Sequence, residues 1–134
     1  MVSASLQREV RQRAGGRCEY CRFPESLHAS AFHVEHIISR QNRGLTELPN
    51  LALACNLCNS HKGPNVAGID DVSGQLAPLF NPRKDLWEEH FAVRGAKIEG
   101  LTATGRVTVH MLAMNDSDRV ETRATLIAAG LLNG

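Results

Sequence analysis

Near the start of the chain apolar residues recur at helical spacing, at Leu6, Val10 and Ala14. Ser3 or Ser5 is available as N-cap and Gly15-Gly16 as the stop, so the pattern predicts a first helix. From Ala31 to Ile38 the period changes to two: Phe32, Val34, His36 and Ile38 alternate with Ala31, His33, Glu35 and Ile37, as in a β-strand. A polar loop follows, Ser39 to Pro49, carrying Arg40, Asn42, Arg43 and Gly44. Leu51-Ala52-Leu53-Ala54 is a short unbroken apolar run, read as a second strand from its position before Cys55. Cys55 to Cys58 then runs into a short polar helix that Gly63-Pro64 should end.

The rest of the chain is less sharply patterned. Asn65 to Gln75 is rich in Gly and Asp and reads as a connector, and Lys84 to His90 around Trp87 as a short helix after Pro82. Phe91-Ala92-Val93 and Lys97-Ile98-Glu99 flank Arg94-Gly95-Ala96 and suggest a hairpin. Thr104 to Asn115 fits either period; Thr102 or Thr104 as a cap tips it toward helix. Asp116 or Ser117 opens a last helix through Val120, Leu126 and Ile127, ending near Gly130. The mixture is α+β.

With 134 residues the chain suits one domain with a modest core, and its 43% apolar and 22% charged residues are those of an ordinary globular protein. Aromatics make up only 4%, which favours some additional staple. The first ten residues include Arg8 and Glu9 and lack the apolar run of a signal peptide, and no segment is apolar for long enough to span a bilayer. The expectation is a cytoplasmic protein without a membrane partner. A net charge of +1 shows no general basic excess, so contact with a nucleic acid must rely on a local patch.

In a reducing compartment the four cysteines need an explanation other than disulfides. Cys18, Cys21, Cys55 and Cys58 form two Cys-x-x-Cys pairs, enough thiolates to close a tetrahedral zinc site with no open position, hence a structural one. The interval from Cys21 to Cys55 exceeds the ~15–20 residues of a plain zinc ribbon, so a structured insert lies between the pairs. A redox role would need a thioredoxin-like βαβ context, which the pattern lacks.

Inside that frame, His33-Val34-Glu35-His36-Ile37-Ile38 followed by Asn50-Leu51-Ala52-Leu53-Ala54-Cys55-Asn56-Leu57-Cys58-Asn59-Ser60-His61-Lys62-Gly63 resembles the HNH endonuclease signature, over roughly Arg17 to Gly63. The resemblance implies a small ββα-metal core at about 15–64, within a single domain spanning 1–134, with an α/β C-terminal extension at about 76–134. It also implies residue roles. His36 matches the histidine that acts as general base on water, a role suited to an imidazole with an ordinary pKa of ~6.5. Glu35 and Asn59 match the ligands of a catalytic divalent metal, and Asn50 matches the middle position that braces the loop. Many members carry histidine where this chain has Asn59, and an oxygen-only pair points to Mg²⁺ or Mn²⁺. Members often have proline where Ser39 stands.

The implied reaction is hydrolysis of DNA phosphodiesters to 5′-phosphate and 3′-hydroxyl ends, with weak or no sequence specificity. Arg40, Arg43, Lys62 and His61 are candidate backbone-phosphate contacts. The competing reading is a zinc-stabilised DNA- or protein-binding module that does no chemistry. Neighbouring residues of a regular strand point to opposite faces, so Glu35 and His36 share a site only if the strand ends or bulges there. Leu79-Phe80-Asn81-Pro82-Arg83 with Trp87 and His90-Phe91 resembles an extension of some small bacterial HNH proteins, and the physical expectation is a second apolar cluster built on Trp87, Leu86 and Phe91.

Overall fold

The computed structural model describes residues 2–134. They fall into two compact units, residues 2–66 with Asn81–Asp85, and Ala67–Phe80 with Leu86–Gly134.

The first unit opens with helix α1 (Ala4–Ala14), where Ser3 Oγ accepts from the Leu6 N–H and Gly15 leaves the helix in the left-handed region at φ 65°. An antiparallel hairpin pairs β1 (His33–His36) with β2 (Leu51–Ala54), placing Glu35 opposite Ala52 and His36 opposite Leu51. All four residues of β2 are buried, and with Val10, Tyr20, Phe32, Ile37 and the cysteines they form the unit's core. Helix α1 grips the hairpin through two arginines: Arg11 donates to the Phe32 carbonyl at 2.8 Å and Arg13 to the Leu51 carbonyl at 2.7 Å.

Strand β1 is shorter than the Ala31–Ile38 alternation predicts, for a physical reason at each end. The Phe32 N–H is taken by Glu25 Oε2 at 2.8 Å and its carbonyl by Arg11, so neither group is left for a ladder. At the far end Ile38 gives its N–H and its carbonyl to the side chain of Asn50. Side-chain capture of backbone groups cuts the strand at His36.

Helix α2 (Asn56–Lys62) starts on Cys55, whose sulfur accepts from the Cys58 N–H at 3.4 Å as a capping serine oxygen would, and stops at Gly63 as the sequence suggests. The knuckle is stitched to residues 81–85 by Glu19, which pairs with Arg83 through one oxygen and accepts from the Leu53 N–H at 2.8 Å through the other. Burial, with the nearby charge of Arg13, lowers the Arg83 guanidinium to about 10.

In the second unit the Gly- and Asp-rich stretch is more ordered than a connector: β3 (Ala67–Ile69) pairs antiparallel with β4 (Leu76–Pro78). Its turn is organised by Asp70, whose fully buried carboxylate takes two bonds from Arg106, at 2.8 and 3.0 Å, and one from the Ser73 N–H. Helix α3 is only Trp87–His90, the last turn of the expected Lys84–His90 helix. The hairpin of β5 (Phe91–Arg94) and β6 (Lys97–Gly100) turns at Gly95, and α4 (Ala103–Met111) resolves the ambiguous stretch as helix, capped by Thr102. Helix α5 (Ser117–Ala128) follows, and its Arg119 and Arg123 donate to the carbonyls of Leu112 and Met114, holding the bend at Ala113 (φ 51°). The apolar cluster around Trp87 and Phe91 forms, with ring centroids 5.0 Å apart, but its third member is Phe80; Leu86 is exposed. Among the described residues no helix is long and apolar enough to cross a membrane.

Candidate metal centre and active site

The two knuckles bring Cys18, Cys21, Cys55 and Cys58 together, all buried, with every sulfur within 4.8 Å of the others. The knuckles are alike: the Cys21 N–H approaches Cys18 Sγ at 3.5 Å and the Cys58 N–H approaches Cys55 Sγ at 3.4 Å. Four thiolates about 2.3 Å from a tetrahedral zinc are about 3.8 Å apart. Cys21 Sγ and Cys55 Sγ lie at 3.8 Å. The donor set and its spacing fit structural zinc, with amides from each knuckle supporting the sulfurs.

The loop between the strands is built to hold one conformation. Ser39 caps a short turn over Arg40–Asn42, and Asn42 Nδ2 donates to the Pro64 carbonyl at 2.8 Å, tying the loop to the chain beyond α2. Asn50 is the central brace. Its Oδ1 accepts from the Ile38 N–H, and its Nδ2 donates to the carbonyls of Ile38 and Leu45, each at 2.9 Å. These three bonds close the loop across its ends. Gly44 makes it possible, because a Cβ there would fall on the Ile38 carbonyl and 2.8 Å from Asn50 Nδ2.

Glu35 and His36, the last two residues of β1, both line one cavity of about 370 Å³. Asn59 and Lys62 of α2, with Arg40, contribute to the same wall. The imidazole of His36 is held by a hydrogen bond between Nε2 and Thr46 Oγ1, 2.8 Å long. Thr46 gave no signal in the sequence, since it is one hydroxyl in a polar loop. Glu35 and Asn59 both line this cavity, and a carboxylate with an amide oxygen is a donor set that fits a hard divalent cation.

Lys62 is placed differently from a freely exposed phosphate contact. It is 6% exposed and its Nζ donates to the Ile37 carbonyl at 2.7 Å. Burial lowers its pKa, and the charge of Glu35 opposes that shift. Arg43 is exposed and ends the loop's short turn at φ 71°, and His61 is exposed on α2; neither lines this cavity. His33 and Arg11 line a second, smaller cavity that also touches Glu35 and His36.

Comparison with known proteins places similarity on the segment that carries the cysteines and this cavity. Residues 18–65 match the family model "HNH endonuclease". The chain is also similar to Septu protein PtuB of Bacillus thuringiensis, 24% identical over 109 residues, which cover 80% of this chain and 40% of that protein. No solved structure matches. The match runs from the first knuckle cysteine to just beyond Gly63-Pro64, so residues 18–65 are the part of this chain that is similar to HNH endonucleases.

Proposed function

We propose that the protein is a divalent-metal-dependent endonuclease that hydrolyses DNA phosphodiester bonds, leaving 5′-phosphate and 3′-hydroxyl ends, and that Glu35, His36 and Asn59 are its working site. The observation that carries this reading is that these three residues line one cavity, with the His36 ring hydrogen-bonded to Thr46. His36 removes the proton of the attacking water, a task for which neutral imidazole is available near pH 7. Glu35 and the Asn59 carbonyl oxygen hold Mg²⁺ or Mn²⁺, which supplies neutralising charge for the phosphate and for the departing 3′ oxygen. Asn50 keeps the loop closed so that the ring does not swing away.

Arg40 on the cavity wall, with the exposed Arg43 and His61, provides contacts to backbone phosphates, while Lys62 is held by the Ile37 carbonyl. Such contacts position the duplex without reading bases, which accounts for weak sequence preference. The cysteine site holds the scaffold and takes no part in the cut. The match spans 40% of PtuB, so no activity, substrate or partner is carried over from it.

The test is supercoiled-plasmid relaxation by the zinc-loaded protein with Mg²⁺ or Mn²⁺, followed by ligation of the nicked product. Metal-dependent nicking that ligase reseals is expected. Binding to DNA without nicking in either metal would overturn the proposal in favour of a zinc-stabilised binding module.

A further inference from the structure

The hydroxyl of Thr46 belongs to no residue set that the HNH resemblance supplies, yet it is the group that holds the His36 ring. It sits one residue beyond Leu45, whose carbonyl Asn50 Nδ2 grips at 2.9 Å, and two beyond Gly44, which must lack a Cβ for the loop to close on Ile38. The loop brace therefore ends at the Thr46 hydroxyl. We infer that Thr46 is a positioning residue for the proposed reaction: its Oγ1 accepts the Nε2 proton of His36, fixes the neutral ring in the Nε2–H tautomer and leaves Nδ1 as the proton acceptor. On this account Asn50 acts on catalysis through Thr46. The inference rests on His36 being the general base.

A neutral imidazole has one N–H and one lone pair, and the partner of one nitrogen decides which the other carries. A base must present a lone pair, so the nitrogen bound to Thr46 must be the one that keeps the proton. A threonine hydroxyl can accept that N–H, whereas a ring left unanchored would populate both tautomers and several orientations. Supporting partners of this kind typically change activity by about 10–100-fold when removed.

The experiment compares Thr46→Val, which keeps the shape and loses the hydroxyl, with Thr46→Ser, which restores it. Single-turnover and steady-state cleavage of a short duplex with Mg²⁺ or Mn²⁺ should show kcat reduced by about 10–100-fold in Thr46→Val, with KM within about two-fold and near-normal rates in Thr46→Ser. Long-range ¹H–¹⁵N spectra of the imidazoles at about pH 8.5, two units above the ordinary ~6.5 value, read the tautomer directly. His36, assigned from signals lost in His36→Gln, should be Nε2–H in the wild-type protein and mixed in Thr46→Val. Adding Asn50→Ala to Thr46→Val should cost little further activity, because both act through one contact.

A wild-type ring in the Nδ1–H form, or a Thr46→Val protein with wild-type kcat, overturns the inference. Equal losses in Thr46→Val and Thr46→Ser with lowered melting temperatures would also overturn it, since that pattern belongs to a loop that fails to fold. His36→Ala separates this from failure of the underlying reading: if that variant cleaves as well as wild type, the proposed function itself falls.

Discussion

Replacing Asn50 tests the architecture of the loop at the level of single atoms. Asn50→Ala removes three hydrogen bonds, to the Ile38 N–H and to the carbonyls of Ile38 and Leu45. The side chain is half-buried, so the freed groups partly reach water. At the lower end of about 0.5–1.5 kcal/mol per bond, the loss is about 1.5 kcal/mol. Asn50→Asp is nearly isosteric and should be worse. One carboxylate oxygen keeps the Ile38 N–H, but the other faces two carbonyl oxygens that Nδ2 now meets at 2.9 Å. The additional cost is at least about 1 kcal/mol at neutral pH. A protonated carboxyl can donate to one of those carbonyls, so its folded-state pKa lies above the unfolded value of ~3.9. The folded state then binds more protons than the unfolded state between those two values, and stability falls as pH rises through that window. Urea unfolding of the zinc-loaded variants should show Asn50→Asp below Asn50→Ala at pH 7.5, with the gap narrowing toward about pH 5. Comparing the two variants at equal pH cancels the weakening of zinc binding by acid. Equal stability of the two at both pH values would refute the orientation of the amide.

Gly44→Ala, whose Cβ would overlap the Ile38 carbonyl, should open the same loop: cleavage falls at least as far as in Asn50→Ala while zinc content by mass spectrometry is unchanged. Structural zinc contributes on the order of 10 kcal/mol, comparable to a whole domain's stability, so Cys55→Ser or chelation should lower the melting temperature and zinc stoichiometry together. Asn59→Ala should leave both nearly intact and weaken cleavage. The buried Asp70 carboxylate is held well below the usual carboxylate range, chiefly by Arg106. A depressed folded pKa gives stability that is present above the unfolded value of ~3.9 and is lost as pH falls below it. The difference between wild type and Asp70→Asn in chemical denaturation should therefore be full at pH 7 and shrink below about pH 4.

Local signals carried much of this structure. The cap and stop of α1, the knuckle that starts α2, the hairpin around Gly95 and the Thr102 cap of α4 were all legible, because each depends on residues within a few positions of one another. The cysteine cluster was legible for the same reason, as two local pairs. What the alternation of residues 31–38 did not reveal is that Glu25, Arg11 and Asn50 take the backbone groups that would have extended β1. The β3–β4 pairing was hidden because Ile69 and Leu76 are exposed and the order comes from Asp70 meeting Arg106 far along the chain. Thr46 and the burial of Lys62 were invisible in the same way: each is defined by a contact in space, with a hydroxyl and an ammonium that look like surface groups in a polar stretch.

The central claim is that His36 is the base of a metal-dependent cut. Its most direct test is single-turnover cleavage of a labelled DNA duplex, with Mg²⁺ or Mn²⁺, by wild type and His36→Ala matched for zinc content and melting temperature. The account predicts a rate loss of about 10²–10⁴-fold in the variant. Cleavage by His36→Ala at the wild-type rate would contradict it.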